Sequence, residues 1–182
     1  LSLAFHTQKI MNHLSFTINE TVSKFRQRNP NFNGGISLIS ASYEALFMFD
    51  LLLANQLGNI SDFWKLNFEV SKFFACGMPI SLLTIRNGDK LRDGFELKIC
   101  KKFFNVLHPL DSLGQRIEPL IIPEYAALPP ENLENLSSSE RIDFILPENT
   151  TLETFTTNIY FSSEILVRSL TNEIYGANRM DS

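Results

Sequence analysis

The residues able to do nucleophilic or proton-transfer chemistry stand at the ends of apolar runs. Ser42 closes the run Ile36–Ala41 (ISLISA) and opens a second, Tyr43 to Leu57, whose composition suits a buried helix. This is the outline of a strand, a tight turn and a helix, with a hydroxyl at the turn. Asp111 follows another short apolar run, KFFNVLH at 102–108, and His108 lies three residues before it. A serine hydroxyl is a poor nucleophile at its free pKa. It needs an adjacent base, usually histidine, itself oriented by an acid. Ser42 and Asp111 are therefore the candidate nucleophile and acid, and the base is the residue to look for.

The elements that must position these groups alternate. Ile10, Leu14, Ile18, Val22 and Phe25 recur at helical steps and predict an amphipathic helix over about 3–28, ended by Asn29, Pro30 and the Gly34-Gly35 pair. His6 and His13 fall within it and read as surface polar residues, since neither has a ligand-spaced neighbour. After Ser42 the helix is apolar nearly all round, which predicts burial, with Asp50 reaching solvent. SKFFACGMPI at 71–80 predicts a buried strand ending at Gly77 and Pro79, and 102–108 another. A helical or irregular piece, 81–97, lies between them. Residues 123–140 are rich in Pro, Glu, Asn and Ser and read as a loop or linker without core. RIDFIL at 141–146 is a last strand, 151–160 a mixed stretch, and 162–175 an amphipathic helix carrying Ile165, Leu166, Leu170 and Ile174. The tail after Gly176 is expected to fray. In open parallel sheets, functional groups gather beyond the carboxyl ends of strands, where Ser42 and Asp111 both fall.

Bulk properties narrow the function classes. A chain of 182 residues with 44% hydrophobic and 20% charged residues supports one domain with a real core, 1–182, in which 1–122 carries the serine strand and 141–176 a closing strand and helix. A formal charge of −4 argues against attraction to phosphate backbones, so nucleic acid is not an expected partner. Cys76 and Cys100 lack metal or disulfide spacing and read as buried thiols of a reducing compartment. No apolar run reaches the length of a membrane span and no leader opens the chain, which points to the cytoplasm. The sequons at Asn19, Asn59, Asn135 and Asn149 are then chance matches, and a start at Leu1 rather than Met suggests a fragment or excised domain.

The order of NPNFNGGISLIS-A-S, FFACGMP, FFNVLHPLD, RIEP, RIDFIL and a final helix ending EIY resembles the DDHD-domain family, the intracellular phospholipase A1 group of α/β-hydrolases. Its members read NPxFxGxVSLVGHSLGS, FFALGSP, FFNIYHPxDPVAYRxEP, RRIDYVLQE and SHxxYWxSxD. The resemblance runs from about Ile10 to Tyr175. It implies an α/β-hydrolase-like fold, a mostly parallel sheet with flanking helices, incomplete on its N-terminal side. By the same resemblance Ser42 matches the nucleophile, Asp111 the first named Asp and Asp143 the second, while the named His falls on Thr157 and the last Asp on Ile165, beside Glu164 as a stand-in. The glycines of the G-x-S-x-G elbow are Ser40 and Glu44 here, and the His of GHS is Ala41.

Thr157 cannot take a proton from Ser42. His108 is shared with active relatives and reads as part of the strand-end turn rather than a replacement base. A Glu44 side chain where glycine allows close packing would oppose an oxyanion. The family's possible divalent metal would be left with Asp111 and Asp143 alone, a weak site, and no cofactor is required. The resemblance thus implies a catalytically impaired module that binds a phospholipid or membrane surface, or a trafficking-coat or self-association partner, cytoplasmic and peripheral to ER or Golgi membranes. The apolar content and Lys101-Lys102 support the membrane expectation. The alternatives are an active phospholipase A1-type serine acyl hydrolase on phosphatidic acid or related phospholipids, and a truncated copy that folds poorly.

Overall fold

Apolar strands separated by helices build a parallel sheet in the computed structural model, which describes residues 2–58, 64–82, 98–147 and 158–176. The elements are α1 (Ser2–Arg28), β1 (Ile36–Ala41), α2 (Ser42–Leu57), β2 (Val70–Cys76), β3 (Lys102–Leu107), α3 (Glu118–Ile121), β4 (Glu131–Asn132), β5 (Asp143–Ile145), α4 (Asn158–Phe161) and α5 (Glu164–Tyr175). Strand order is β1-β2-β3-β5-β4, with every pairing parallel, so the fold is α/β with helices on both faces. The sequons at Asn59 and Asn149, Thr157, the tail after Gly176 and most of 81–97 and 151–160 lie outside the described residues.

Strand alternation divides the core in two. Phe73, Ala75 and Phe103 face Ala45, Leu46, Phe49 and Leu52 of α2 and Met11 of α1; Phe74, Cys76, Phe104, Val106 and Phe144 face Leu166 and Leu170 of α5. Phenylalanines fill both halves of the core. Phe74 stacks on Phe104 at 4.6 Å between centroids, and Phe73 on Phe103 at 5.4 Å.

Three expectations change. The buried face of α1 is Met11 and Ser15, with Leu14 and Ile18 packed beside them, whereas Ile10 and Phe25 are exposed. Steps of four residues drift about 40° per step around a helix, so the expected stripe cannot stay on one face. Ser15 tolerates burial because its hydroxyl donates to the Met11 carbonyl at 3.0 Å. In α5, Leu166, Leu170 and Ile174 face the core and Ile165 faces outward, with Ser163 accepting from the Leu166 amide as N-cap. Residues 123–140 do contribute core: Leu133 and Leu136 are buried and Glu131–Asn132 pairs with β5. Composition hid this because two leucines suffice to anchor an otherwise polar segment.

Candidate active site at the strand ends

Register brings the site's elements together. Ala41, at the end of β1, lies opposite Cys76 of β2, which lies opposite Val106 of β3, so Ser42, Gly77 and His108 leave three neighbouring parallel strands at one edge of the sheet. Ser42 has φ +54, and among the described residues it is the one non-glycine with positive φ. A left-handed serine between strand and helix holds backbone strain of about 1–3 kcal/mol, which persists only where the surroundings enforce it. The turn of a nucleophile elbow is therefore present without its glycines. Glu44 is exposed on the first turn of α2, so it does not crowd the turn as expected; its charge instead complements the helix N-terminus. Ser40 turns the other way, and its buried hydroxyl has no hydrogen-bond partner.

Asp111 is held at the neighbouring corner, against Gly77 at the end of β2. Its Oδ1 accepts from the Leu113 amide at 2.8 Å, and its Oδ2 accepts from the Tyr160 hydroxyl at 2.6 Å. The same Tyr160 oxygen accepts from the His108 amide at 3.1 Å, which ties α4 to the end of β3. Burial first, and then the Asp111 carboxylate, push the Tyr160 phenol far above its ordinary pKa, so it stays a donor. Gly77, at φ +63, and Gly114 close the corner, since a Cβ at either would meet Asp111 Oδ2 and the Tyr160 hydroxyl. Tyr160 is a site residue that the sequence does not single out. Its signal was a tyrosine in the segment expected to supply the base.

Among the described residues no base joins Ser42. Its side chain makes no hydrogen bond among the described residues. His108 is buried, and its Nδ1 accepts from the Leu110 amide at 3.1 Å. That bond puts the ring proton on Nε2, so neither nitrogen is ready to take one from a serine. His13 is exposed on α1. Glu164 pairs with Arg168 at 2.7 Å on the exposed face of α5, and Ile165 points to solvent, so neither joins Asp111.

Asp143 lies in a different network. It is fully buried, and its oxygens accept from Ile117 N (3.0 Å), Asn105 Nδ2 (2.9 Å), Glu118 N (3.1 Å) and Arg116 Nε (3.2 Å). A carboxylate already accepting four donors, one of them cationic, does not fit a divalent cation, which requires oxygen ligands turned toward it. Among the described residues no group of three or more His, Cys, Asp or Glu is arranged to hold a metal.

The lysine pair is similarly committed. Lys102 pairs with Glu173 at 3.7 Å and lies over the Phe104 ring, while Lys101 pairs with Glu69 at 3.6 Å. Both sit at the amino end of β3, remote from Ser42. Cys76 is buried and Cys100 half-buried, and burial pushes both thiols up to about 12. No described helix is long and apolar enough to cross a membrane.

A protein of Schizosaccharomyces pombe described as a probable mitochondrial phospholipase is 29% identical over 161 residues, covering 74% of this chain and 21% of its own. The human SEC23-interacting protein is 48% identical over 61 residues, 33% of this chain and 6% of its own. A mouse triacylglycerol hydrolase is 40% identical over 60 residues, 32% of this chain and 9% of its own. The match thus spans about a fifth of the yeast relative's length and less of the others'. No solved structure matches. The profile of the DDHD domain matches residues 66–174, more than half of the chain and inclusive of Asp111, Asp143 and Tyr160, so the chain belongs to the DDHD domain family.

Proposed function

We propose that this chain is a catalytically impaired DDHD domain that keeps the scaffold of a phospholipase-type acyl hydrolase and serves as a binding module for a phospholipid surface. One observation carries the reading: Ser42 stands on a strained elbow with no proton acceptor bonded to it among the described residues, while the imidazole at this end of the sheet is held by its own turn through the Leu110 amide. The residue aligned with the base, Thr157, cannot supply one, and loss of a triad member lowers turnover by several orders of magnitude. The SEC23-interacting relative supports attachment to a trafficking-coat partner, at ER or Golgi membranes, as part of the same reading.

A second reading, a working serine acyl hydrolase on phosphatidic acid or a related phospholipid, is favoured by the φ of +54 at Ser42, since such strain gathers at active sites. Exposing the complete protein to a fluorophosphonate probe and to phosphatidic acid vesicles separates the two. The impaired module sediments with vesicles, takes no label and releases no fatty acid. Labelling that disappears in Ser42→Ala, with fatty-acid release, establishes the second reading instead.

A further inference from the structure

Two tripeptides of the same pattern, Arg116-Ile117-Glu118 and Arg141-Ile142-Asp143, face each other and exchange matching bonds. Arg116 Nε donates to Asp143 Oδ2 at 3.2 Å, and Arg141 Nε donates to Glu118 Oε1 at 2.9 Å. The Ile117 amide donates to Asp143 Oδ1 at 3.0 Å, and the Ile142 amide to Glu118 Oε1 at 2.7 Å. The Glu118 amide donates to Asp143 Oδ2 at 3.1 Å, and the Asp143 amide to Glu118 Oε1 at 3.2 Å. Each carboxylate thus accepts the arginine and two amides of the opposite tripeptide. Both acids have no exposed surface.

The exchange is completed outward. Arg141 NH2 reaches Glu118 Oε2 at 2.6 Å and the Pro129 carbonyl at 2.9 Å, and Arg116 NH2 reaches the Tyr125 carbonyl at 3.0 Å. This anchors the segment after α3, whose composition suggested a free linker. Inward, Asn105 Nδ2 donates both to Asp143 Oδ1 at 2.9 Å and to the Gln115 carbonyl at 2.8 Å. The Gln115 amide donates to the Met78 carbonyl at 3.1 Å, and its Oε1 accepts from the Ser81 amide at 2.8 Å. The loop that carries Asp111 therefore leaves β3 at His108, fastened by Tyr160, and returns at residue 115 directly into the exchange.

We propose that these two tripeptides form a reciprocal clasp, and that Asp143 is a positioning residue for the Asp111 loop rather than a metal ligand or a participant in chemistry. Two buried acids and two arginines balance in charge, and the carboxylates and backbone amides of Asp143 and Glu118 all find partners across the clasp. A buried carboxylate survives only when so paired. With either acid removed, the opposite arginine and amides lose their acceptor, residues 115–118 are released, and the far end of the Asp111 loop loses its anchor. Asp111 and Asp143, two residues matched to one family signature, thus do separate work: one meets Tyr160 beyond the end of β3, the other sets where the first can stand.

The test uses the complete protein with Asp143→Asn, Glu118→Gln, the double variant and Arg141→Lys. It reads thermal midpoints with EDTA or with MgCl2, CaCl2 or MnCl2, and hydrogen exchange at the Leu113 amide, which reports Asp111's seat, against residues 70–76 of β2. The clasp predicts midpoints lowered by on the order of 10 °C in each acid variant. It also predicts a double variant close to either single, because the clasp opens once. Exchange at Leu113 rises about ten-fold or more relative to β2, and no divalent ion shifts the parent. Additive losses in the double variant overturn the clasp. So does a parent midpoint raised by a divalent ion, but not in Asp143→Asn, with Leu113 exchange unchanged. Should the amide variants fail to fold, Arg141→Lys keeps the charge and loses the forked geometry. Faster exchange at Leu113 relative to β2 in that variant supports the clasp, and an unchanged ratio refutes it.

Discussion

Asp143 and Asp111 stand at the ends of two strands of one sheet, and their surroundings could hardly differ. Asp143 is fully buried, accepts four hydrogen bonds and belongs to an exchange of matched arginines and amides. Asp111 accepts two, from the Leu113 amide and the Tyr160 hydroxyl, at the end of the sheet that also carries a serine in a left-handed conformation. A carboxylate whose oxygens are all engaged holds shape, although Asn105 Oδ1 beside it is buried without a partner. A corner that keeps strain and partly used groups is where a ligand or a reaction has something to engage.

Breaking the satisfied corner has the largest effect. Glu118→Gln leaves Arg141 without its charged partner and is expected to lower unfolding free energy by about 3–5 kcal/mol, read by denaturant titration. Acid acts on the two clasp carboxyls with opposite sign. Burial works to raise the Glu118 pKa, but hydrogen bonds from Arg141 and the Ile142 and Asp143 amides outweigh it and hold the group below its ordinary 4.5. Its share of stability is therefore present above pH 4.5 and lost as pH falls through its folded value. Burial, with the Glu118 charge adding to it, holds Asp143 above its ordinary 3.8, so its share is present below pH 3.8 and lost as pH rises through its folded value. Thermal melts in a pH series are expected to show the acid-side loss flattened in Glu118→Gln and steepened in Asp143→Asn.

The strained corner gives smaller effects and one of opposite sign. Tyr160→Phe removes the donor to Asp111 Oδ2 and the acceptor of the His108 amide, a loss of about 1–3 kcal/mol by denaturant titration. Ser42→Gly relieves the left-handed backbone and is expected to stabilise by about 1 kcal/mol in the same titration. A destabilising Ser42→Gly would show that the elbow is no more strained than the clasp, and the contrast would fall.

The parts of this structure that the sequence disclosed follow from short-range rules. Apolar runs located β1, β3 and β5 to within a residue or two and the start of β2 to within one, although β2 ends at Cys76 rather than near Ile80, and the strand-to-helix outline put Ser42 at a turn. The fully apolar helix after it is buried as expected. What escaped depends on partners far along the chain. Leu133 and Leu136 reach the core in a segment that Arg116 and Arg141 fasten at residues 125 and 129 and β5 pairs at 131–132, and none of these partners is visible in local composition. The shifted face of α1 had the same origin, since a helix with apolar residues on several sides takes its orientation from what it meets.

By itself the sequence determined the residue types available at the strand ends: a serine, an aspartate, and a threonine where an imidazole is expected, because a missing functional group cannot be restored by folding. Only the tertiary structure decided which carboxylate stays at the sheet's carboxyl end and which disappears into the scaffold. Asp111 and Asp143 are the same residue type, and their roles separate because Asp143, at the start of β5, meets Arg116 and the 117–118 amides while Asp111, beyond the end of β3, meets Tyr160 from the far end of the chain.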